Sequence, residues 1–388
     1  MRRTATLLAA TALLAGGTLP AADEEITHSI PPGYTPEQER DEQGLWLEME
    51  EAERRLNHSA LLVRNPDITS YISEIVCRTA AAYCNDFRVY VVRNPNFNAS
   101  MAPNGVMQIW TGLIVRAEST DEIAAVVGHE IAHYTRLHSL QRLRDIRSKS
   151  TAGGIFDLAV LLGTGYNIPV GQLAAMSAVL AFSREQETEA DLLGATLIAN
   201  AGYDPHASYR VWLNILAEEE AAAVKREDHG MFSRTHPDSE DRARYLQSWV
   251  TSRYGPPDQE TVSDERLLAV LNNNYLMLME DQIDTNRFGR SQDLLERHAA
   301  MGVDPSLVRF FYGEMFRQRG NEGDRELAIA AYRHAIEEDG APPAAYKNLG
   351  YLLLKDGDKK AAQEYFRTYL DVEPEASDRA MIEFYLEE

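Results

Sequence analysis

The sequence predicts an α+β chain, in which a mainly helical domain with a small antiparallel sheet precedes an all-helical repeat domain. Three observations carry that expectation. His129-Glu130-Ile131-Ala132-His133 lies inside a long run of helical periodicity, and Asn104-Gly105 separates two short strand-like runs. The C-terminal third sets small residues against aromatic ones at a recurring spacing. At 388 residues the chain is long enough for more than one domain.

In chain order, Arg2-Arg3 precede an apolar run over 7–14, then Gly16-Gly17 and the small pair Ala21-Ala22. That is the pattern of a signal peptide cleaved near Ala21 or Ala22, and the chain is expected to be exported. No cysteine stands near the cleavage point, so a lipid anchor is not indicated. With 38 basic and 60 acidic residues the formal net charge is −22, which argues against nucleic acid or an anionic membrane as partner. Cys77 and Cys84 stand seven apart, across the end of a helix predicted over 68–83 and the start of a strand over 87–92. In an exported chain such a pair reads as a disulfide, the alternative being two buried thiols. The strands expected over 97–103 and 106–111 form a hairpin through the two-residue turn Asn104-Gly105.

A capping-box pattern, Ser119-Thr120-Asp121-Glu122, opens the helix expected over 121–142. Histidines four apart share one helix face, so His129 and His133 can reach a single metal ion. Glu130 points to the side, close enough to take a proton from an attacking water. Zinc is the expected metal, one per chain, and it needs a third protein ligand. Ser183-Arg184-Glu185-Gln186-Glu187-Thr188-Glu189-Ala190-Asp191 opens a later helix that supplies candidates. Glu187 and Asp191 share a face, so one can ligate while the other orients a ligand histidine. By spacing alone Glu185 and Glu189 remain rivals to Glu187.

Thr235-His236-Pro237, with Arg242 six residues beyond the histidine, is a third segment with chemical character. His138 lies five residues past His133, off the ligand face of a continuous helix. It is assigned, with His28, His58, His206, His229, His298 and His334, to solvated or core roles. The apolar stretch 153–182 is interrupted by Asp157, Gly163, Gly165 and Pro169. It is expected to fold as two helices over the metal site rather than to span a membrane.

Beyond about residue 256 the pattern changes. Tyr346, Leu349, Gly350, Ala362, Phe366 and Pro374 match tetratricopeptide spacing. A weaker unit runs through Phe310, Tyr312-Gly313, Ala328, Tyr332 and Ala335, with a three-residue insertion in 320–324. A helix pair over 276–300 and a capping helix over 376–385 complete the array. The expected divisions are 1–22 signal peptide, 23–258 metallopeptidase-type domain and 259–388 repeat domain. Such repeats present a concave face to peptides or partner proteins.

The His-Glu-x-x-His helix, the later Glu-x-x-x-Asp helix and the Thr-His-Pro segment together resemble the gluzincin metallopeptidases. More narrowly, they are similar to the group that contains the CAAX prenyl protease, HtpX and BepA, over about 45–255. The resemblance implies zinc ligands His129, His133 and Glu187, general base Glu130, and Asp191 as partner of His129. It implies that His236 and Arg242 stabilise the oxyanion of the reaction, or that His236 itself ligates the metal in a latent state. It also makes Asn98-Ala99-Ser100-Met101 an edge strand that pairs with an extended substrate, although Met101 and Ala102 fill positions that vary in the family. The function implied is that of a periplasmic zinc endopeptidase that degrades unfolded or misassembled envelope proteins. The rival expectation is a chaperone or assembly factor acting through the repeats. Because the chemistry ends by Arg242, cleavage is expected to be independent of residues 260–388.

Overall fold

The computed structural model describes residues 30–36, 40–149, 182–221, 236, 239–257 and 264–387. The signal peptide expected over 1–22, and all of the stretch 153–182 except Phe182, lie outside the described residues.

Helix α1 (Arg40–Asn57) precedes α2 (Pro66–Thr79), which starts where the Asn65 side chain accepts the Asp67 N–H and Pro66 supplies a preset φ. The helix ends at Thr79, four residues before the boundary expected from periodicity. A 3-10 turn over Ala81–Asp86 then carries Cys84 back to Cys77, and the two are disulfide-bonded.

Strands β1 (Arg88–Val92), β2 (Ala99–Met101) and β3 (Val106–Trp110) form one sheet in the order β1-β3-β2. The sheet is mixed, whereas the sequence suggested antiparallel pairing throughout. β2 and β3 are the expected hairpin, with Ala99 opposite Ile109, but β1 runs parallel to β3, with Arg88 opposite Val106. All five β3 residues are buried, so this strand takes the centre and needs a neighbour on each side. The hairpin loop has three residues rather than two. Gly105 N–H bonds the Ala102 carbonyl and Gly105 takes φ +84°, the left-handed position that closes such a loop.

After the short helix α3 (Thr111–Ile114), α4 (Thr120–Thr135) is capped by Ser119, whose side chain accepts the Glu122 N–H at 3.3 Å. The Glu122 carboxylate reaches one residue further upstream than a capping box requires, to the Glu118 N–H at 2.9 Å. Every residue of α4 from Glu122 onward is buried, as befits a helix surrounded by others. It stops earlier than expected. Leu137 turns to φ 54° and a new helix, α5 (His138–Lys149), starts on another line.

Helix α6 (Arg184–Asn200) begins with a complete capping box between Ser183 and Gln186 and packs against α4. α7 (Ala207–Ala221) and α8 (Ser239–Tyr254) close the other side. No helix among the described residues is long and apolar enough to cross a membrane.

Helix α9 (Glu265–Ile283) is bound to the preceding elements rather than set apart from them. Asp264 accepts the Thr120 N–H at 2.6 Å, Asn274 accepts from Asn65 at 2.6 Å, and Asp281 pairs with Arg93 at 2.7 Å. Buried Arg116 joins Glu218 of α7, at 2.8 Å, to Gln282 of α9, at 3.0 Å. One hydrophobic core runs from Ile68 and Ile123 through Leu271 and Tyr275 to Phe366. α10 (Phe288–Met301) follows, then two hairpins, α11 (Pro305–Arg319) with α12 (Asp324–Glu337) and α13 (Pro343–Lys355) with α14 (Lys359–Val372). The hairpins share one packing device: a Cβ on Gly313 would meet the Tyr332 ring at 2.4 Å, and one on Gly350 the Phe366 ring at 2.6 Å. α15 (Arg379–Glu387) caps the array.

Candidate metal centre

The one-turn spacing on α4 stacks His129 over His133, and their Nε2 atoms converge to 3.0 Å. α6 brings Glu187 to the same point, with Oε1 3.5 Å from His133 Nε2 and Oε2 3.5 Å from His129 Nε2. His236 completes the group: its Nδ1 is 3.2 Å from His129 Nε2 and 2.8 Å from Glu187 Oε1. All four residues are buried, and one donor atom from each lies within 4.8 Å of the others. Ligands 2.0–2.1 Å from a tetrahedral zinc stand roughly 3.3 Å apart. The donor set and its spacing therefore fit a metal ion. Such an ion would also relieve the contact of two ring nitrogens that both point lone pairs or protons at one spot.

Of the three acids left open by spacing, only Glu187 faces the histidine pair. Glu185 is exposed, and Glu189 turns the other way, with Oε1 2.8 Å from Arg136. Asp191 stands behind His129, with Oδ1 2.9 Å from His129 Nδ1. Arg242 grips the same carboxylate through Nε at 2.9 Å and Nη2 at 2.6 Å, and Tyr245 also donates to it. The Arg242 guanidinium lies 4.0 Å over the Trp212 ring and brings Nη1 to 3.1 Å from Glu187 Oε2. The contacts of Arg242 are thus with Asp191 and Glu187, and its Nη1 is buried without a hydrogen-bond partner among the described residues. Its charge is directed at the two carboxylates that hold the site, where it positions them.

Electrostatics follow from this enclosure. Burial pushes the Glu130 carboxyl above the usual range, as suits a proton acceptor working near neutrality. Burial also holds the His133 imidazole well below its usual value, in the neutral form a ligand requires. Burial and Arg242 oppose charge on His129, but hydrogen bonds to Asp191 and Glu187 outweigh them and raise it to about 9. Burial likewise disfavours the Glu187 carboxylate, yet His236 and Arg242 keep it well below the ordinary carboxylate range. Among the described residues Glu130 Oε1 is buried without a hydrogen-bond partner, and it sits 3.5 Å from His236 Nε2. An unpaired acceptor beside the ligand cluster is what a general base awaiting its substrate presents.

Ala99-Ser100-Met101 forms one of the two outer strands of the sheet, with Asn98 just before it, and α4 packs beside it. Asn98, Ala99 and Met101 are buried and Ser100 is partly exposed. One main-chain edge of β2 has no strand partner among the described residues.

His138 is the residue that sequence reasoning missed. It is fully buried, its Nδ1 lies 2.9 Å from His133 Nδ1, and its Nε2 lies 3.3 Å from Glu189 Oε2. Periodicity assumed an unbroken helix, and the break at Leu137 turns His138 back toward the site. Phe182 closes the stretch expected to lie over the metal site, and it stacks on the His133 ring at 3.9 Å.

The sequence profile of peptidase family M48 matches residues 63–250, which include all four clustered residues, Glu130 and Arg242. This segment belongs to peptidase family M48. M48 peptidases use zinc, and the cluster above is placed to hold it. A tetratricopeptide profile matches residues 343–375, the α13–α14 hairpin. Among curated relatives, the mitochondrial metalloendopeptidase OMA1 of Schizosaccharomyces pombe is 31% identical over 189 residues, 47% of this chain and 53% of that protein. OMA1 of Arabidopsis thaliana is 31% identical over 162 residues, 41% of this chain and 31% of that protein. The β-barrel assembly-enhancing protease of Escherichia coli is 26% identical over 165 residues, 40% of this chain and 34% of that protein. The chain thus spans about half, or less, of the length of these M48 relatives.

Proposed function

We propose that the chain is an M48 zinc endopeptidase that cleaves unfolded or misassembled envelope proteins in the periplasm. The observation that carries the reading is the convergence of His129, His133, Glu187 and His236 beside the buried carboxylate of Glu130. His129, His133, Glu187 and His236 would hold the zinc, which would supply Lewis acidity toward the scissile carbonyl and the attacking water. Glu130 takes the water proton and returns it to the leaving amine. Asp191 and Arg242 keep His129 and Glu187 in place through the hydrogen bonds and ion pair described above.

His236 would be a fourth donor to that ion. A substrate carbonyl needs a position next to Glu130, so the His236 imidazole would have to yield its place before the reaction. His236 then has an imidazole N–H to offer the oxyanion. β2 supports the substrate side of the reading: its outer edge suits main-chain pairing with an extended chain, which favours unfolded proteins. The N-terminal Arg2-Arg3 and apolar run support export, and the repeats support a role in holding partner proteins. The relatives named as β-barrel assembly-enhancing proteases point to envelope proteins as the substrate class.

Glu130→Gln tests the reading. The variant should bind one zinc and melt as wild type does, yet fail to degrade an unfolded casein substrate. Retained cleavage by this variant would remove the hydrolase mechanism assigned here. Wild type that suppresses aggregation but cleaves nothing would favour a chaperone.

A further inference from the structure

We propose that His138 and Glu189 form a hydrogen-bonded relay that fixes His133 as a metal ligand, which makes His138 a positioning residue of the centre. The inference rests on the metal-site reading above.

The geometry has a direction. His133 turns Nε2 to the ligand cluster and Nδ1, on the other side of its ring, to His138 Nδ1 at 2.9 Å. Two facing ring nitrogens make a hydrogen bond only when one of them carries the proton. A ligating Nε2 must present its lone pair, so His133 carries its proton on Nδ1 and donates it. His138 must then accept at Nδ1 and keep its own proton on Nε2. That nitrogen faces Glu189 Oε2 at 3.3 Å, an acceptor, and Arg136 pairs with the other oxygen at 2.8 Å. Reversing the order would put a proton of His133 into the ligand cluster.

Both α4 ligands are thereby oriented by a chain that ends in a carboxylate. His129 reaches Asp191 in one step, at 2.9 Å, and His133 reaches Glu189 in two. The backbone is shaped for the second chain. A continuous helix would carry His138 away from His133, and Leu137, a non-glycine residue at φ 54°, makes the reversal. That conformation is one that residues with a side chain rarely adopt, and its consequence here is a fully buried imidazole set against His133. Phe182, stacked on the His133 ring 20° from parallel, restrains the remaining rotation.

The test uses the full-length protein, zinc affinity from competition with a chelator, and the visible spectrum of the cobalt(II)-substituted form. His138→Leu keeps the bulk and removes the acceptor. His138→Asn keeps an oxygen acceptor near the position of Nδ1. Glu189→Ala removes the end of the relay, with Glu185→Ala as the exposed control. His138→Leu is expected to weaken zinc binding by roughly 10–100-fold, the usual scale for losing such a support, and to change the cobalt spectrum. His138→Asn should recover most of that loss, Glu189→Ala should show a smaller one, and Glu185→Ala none. A packing role alone predicts the reverse order, with Leu tolerated and Asn harmful, and that pattern overturns the proposal. So does wild-type zinc affinity in both His138→Leu and Glu189→Ala. If His138→Leu does not fold, the half-exposed Glu189 site decides by the same measurement. Failure of wild type to bind zinc would instead refute the metal-site reading itself.

Discussion

Gly128 and Gly194 touch backbone to backbone where α4 crosses α6. A Cβ on Gly128 would lie 3.0 Å from the Gly194 carbonyl oxygen, and one on Gly194 would lie 2.8 Å from His129 N. Neither helix has room for a side chain at the crossing. This contact, one residue from His129, is what brings Glu187 and Asp191 within reach of the α4 histidines.

Gly194→Ala should therefore separate the helices and act on the metal centre from two turns away. Overpacking of this kind costs about 1–3 kcal/mol. The expected outcome is a lower melting temperature together with weaker zinc binding in chelator competition. Loss of stability with zinc affinity unchanged would show that the crossing does not set the position of Glu187.

Asp191→Asn should keep the fold and weaken zinc binding or turnover by roughly 10–100-fold, because an amide supports His129 without the charge that Arg242 balances. Arg242→Lys should resemble it, since a point charge cannot span Asp191 and Glu187 as the planar guanidinium does. A defect confined to kcat in Arg242→Lys, with zinc affinity unchanged, would return Arg242 to the oxyanion role.

His236→Ala should raise the rate of cleavage of a short unfolded peptide, because it removes the fourth donor from the place a substrate carbonyl needs. Zinc should also dissociate faster. A fall of roughly 10²–10³-fold, the scale for removing one oxyanion donor, would instead make transition-state stabilisation its main contribution.

Removing residues 340–388 should leave zinc content and the core intact, since a terminal repeat contacts mainly its neighbour. A cut at residue 260 should not be tolerated. It exposes the partners of Leu267, Leu271, Tyr275, Leu278 and Met279, all buried. At about 1.5–3 kcal/mol per side chain the loss is comparable to the whole ~5–15 kcal/mol that holds a domain folded. Limited proteolysis and metal analysis of the two truncations distinguish the cases. A stable, active protein ending at 260 would restore the independence expected from the sequence.

Glu122 should make stability pH-dependent. Burial raises its carboxyl to about 7 in the folded protein, against 4.5 for the free group. The folded state therefore holds the proton more tightly. The contribution of this group is complete below about pH 4.5 and is lost as pH rises through 7, each pH step of one across that interval removing ~1.4 kcal/mol at most. Melting of Glu122→Gln at pH 5 and pH 8, at fixed zinc, should show a smaller drop than wild type. Parallel pH profiles would remove Glu122 as the source.

Local patterns were legible in the sequence because they depend on a few consecutive residues. One helical turn separates His129 from His133, so their shared face needed no knowledge of the fold. The Ser119 and Ser183 caps, the hairpin before Val106 and the Gly350–Phe366 contact of the repeat are of the same kind. Where a local rule was stretched, it slipped by a residue or a turn. The hairpin loop is three residues, and α4 stops at Thr135 because Leu137 adopts a conformation that hydrophobic periodicity does not report.

What the sequence by itself determined is the donor chemistry: two histidines on a helix, a glutamate beside them, and acids and a histidine downstream. Tertiary structure alone decided which acid faces the histidine pair, what Arg242 touches and what stands behind His133. Glu185, Glu187 and Glu189 are equivalent until the contact of Gly128 with Gly194 sets how α6 faces α4. The parallel pairing of β1 with β3, the fusion of α9 to the core and the turn of His138 onto His133 arise in the same way. Each depends on segments far apart in sequence, or on one strained residue, and is selected by close packing of the whole chain rather than by local preference.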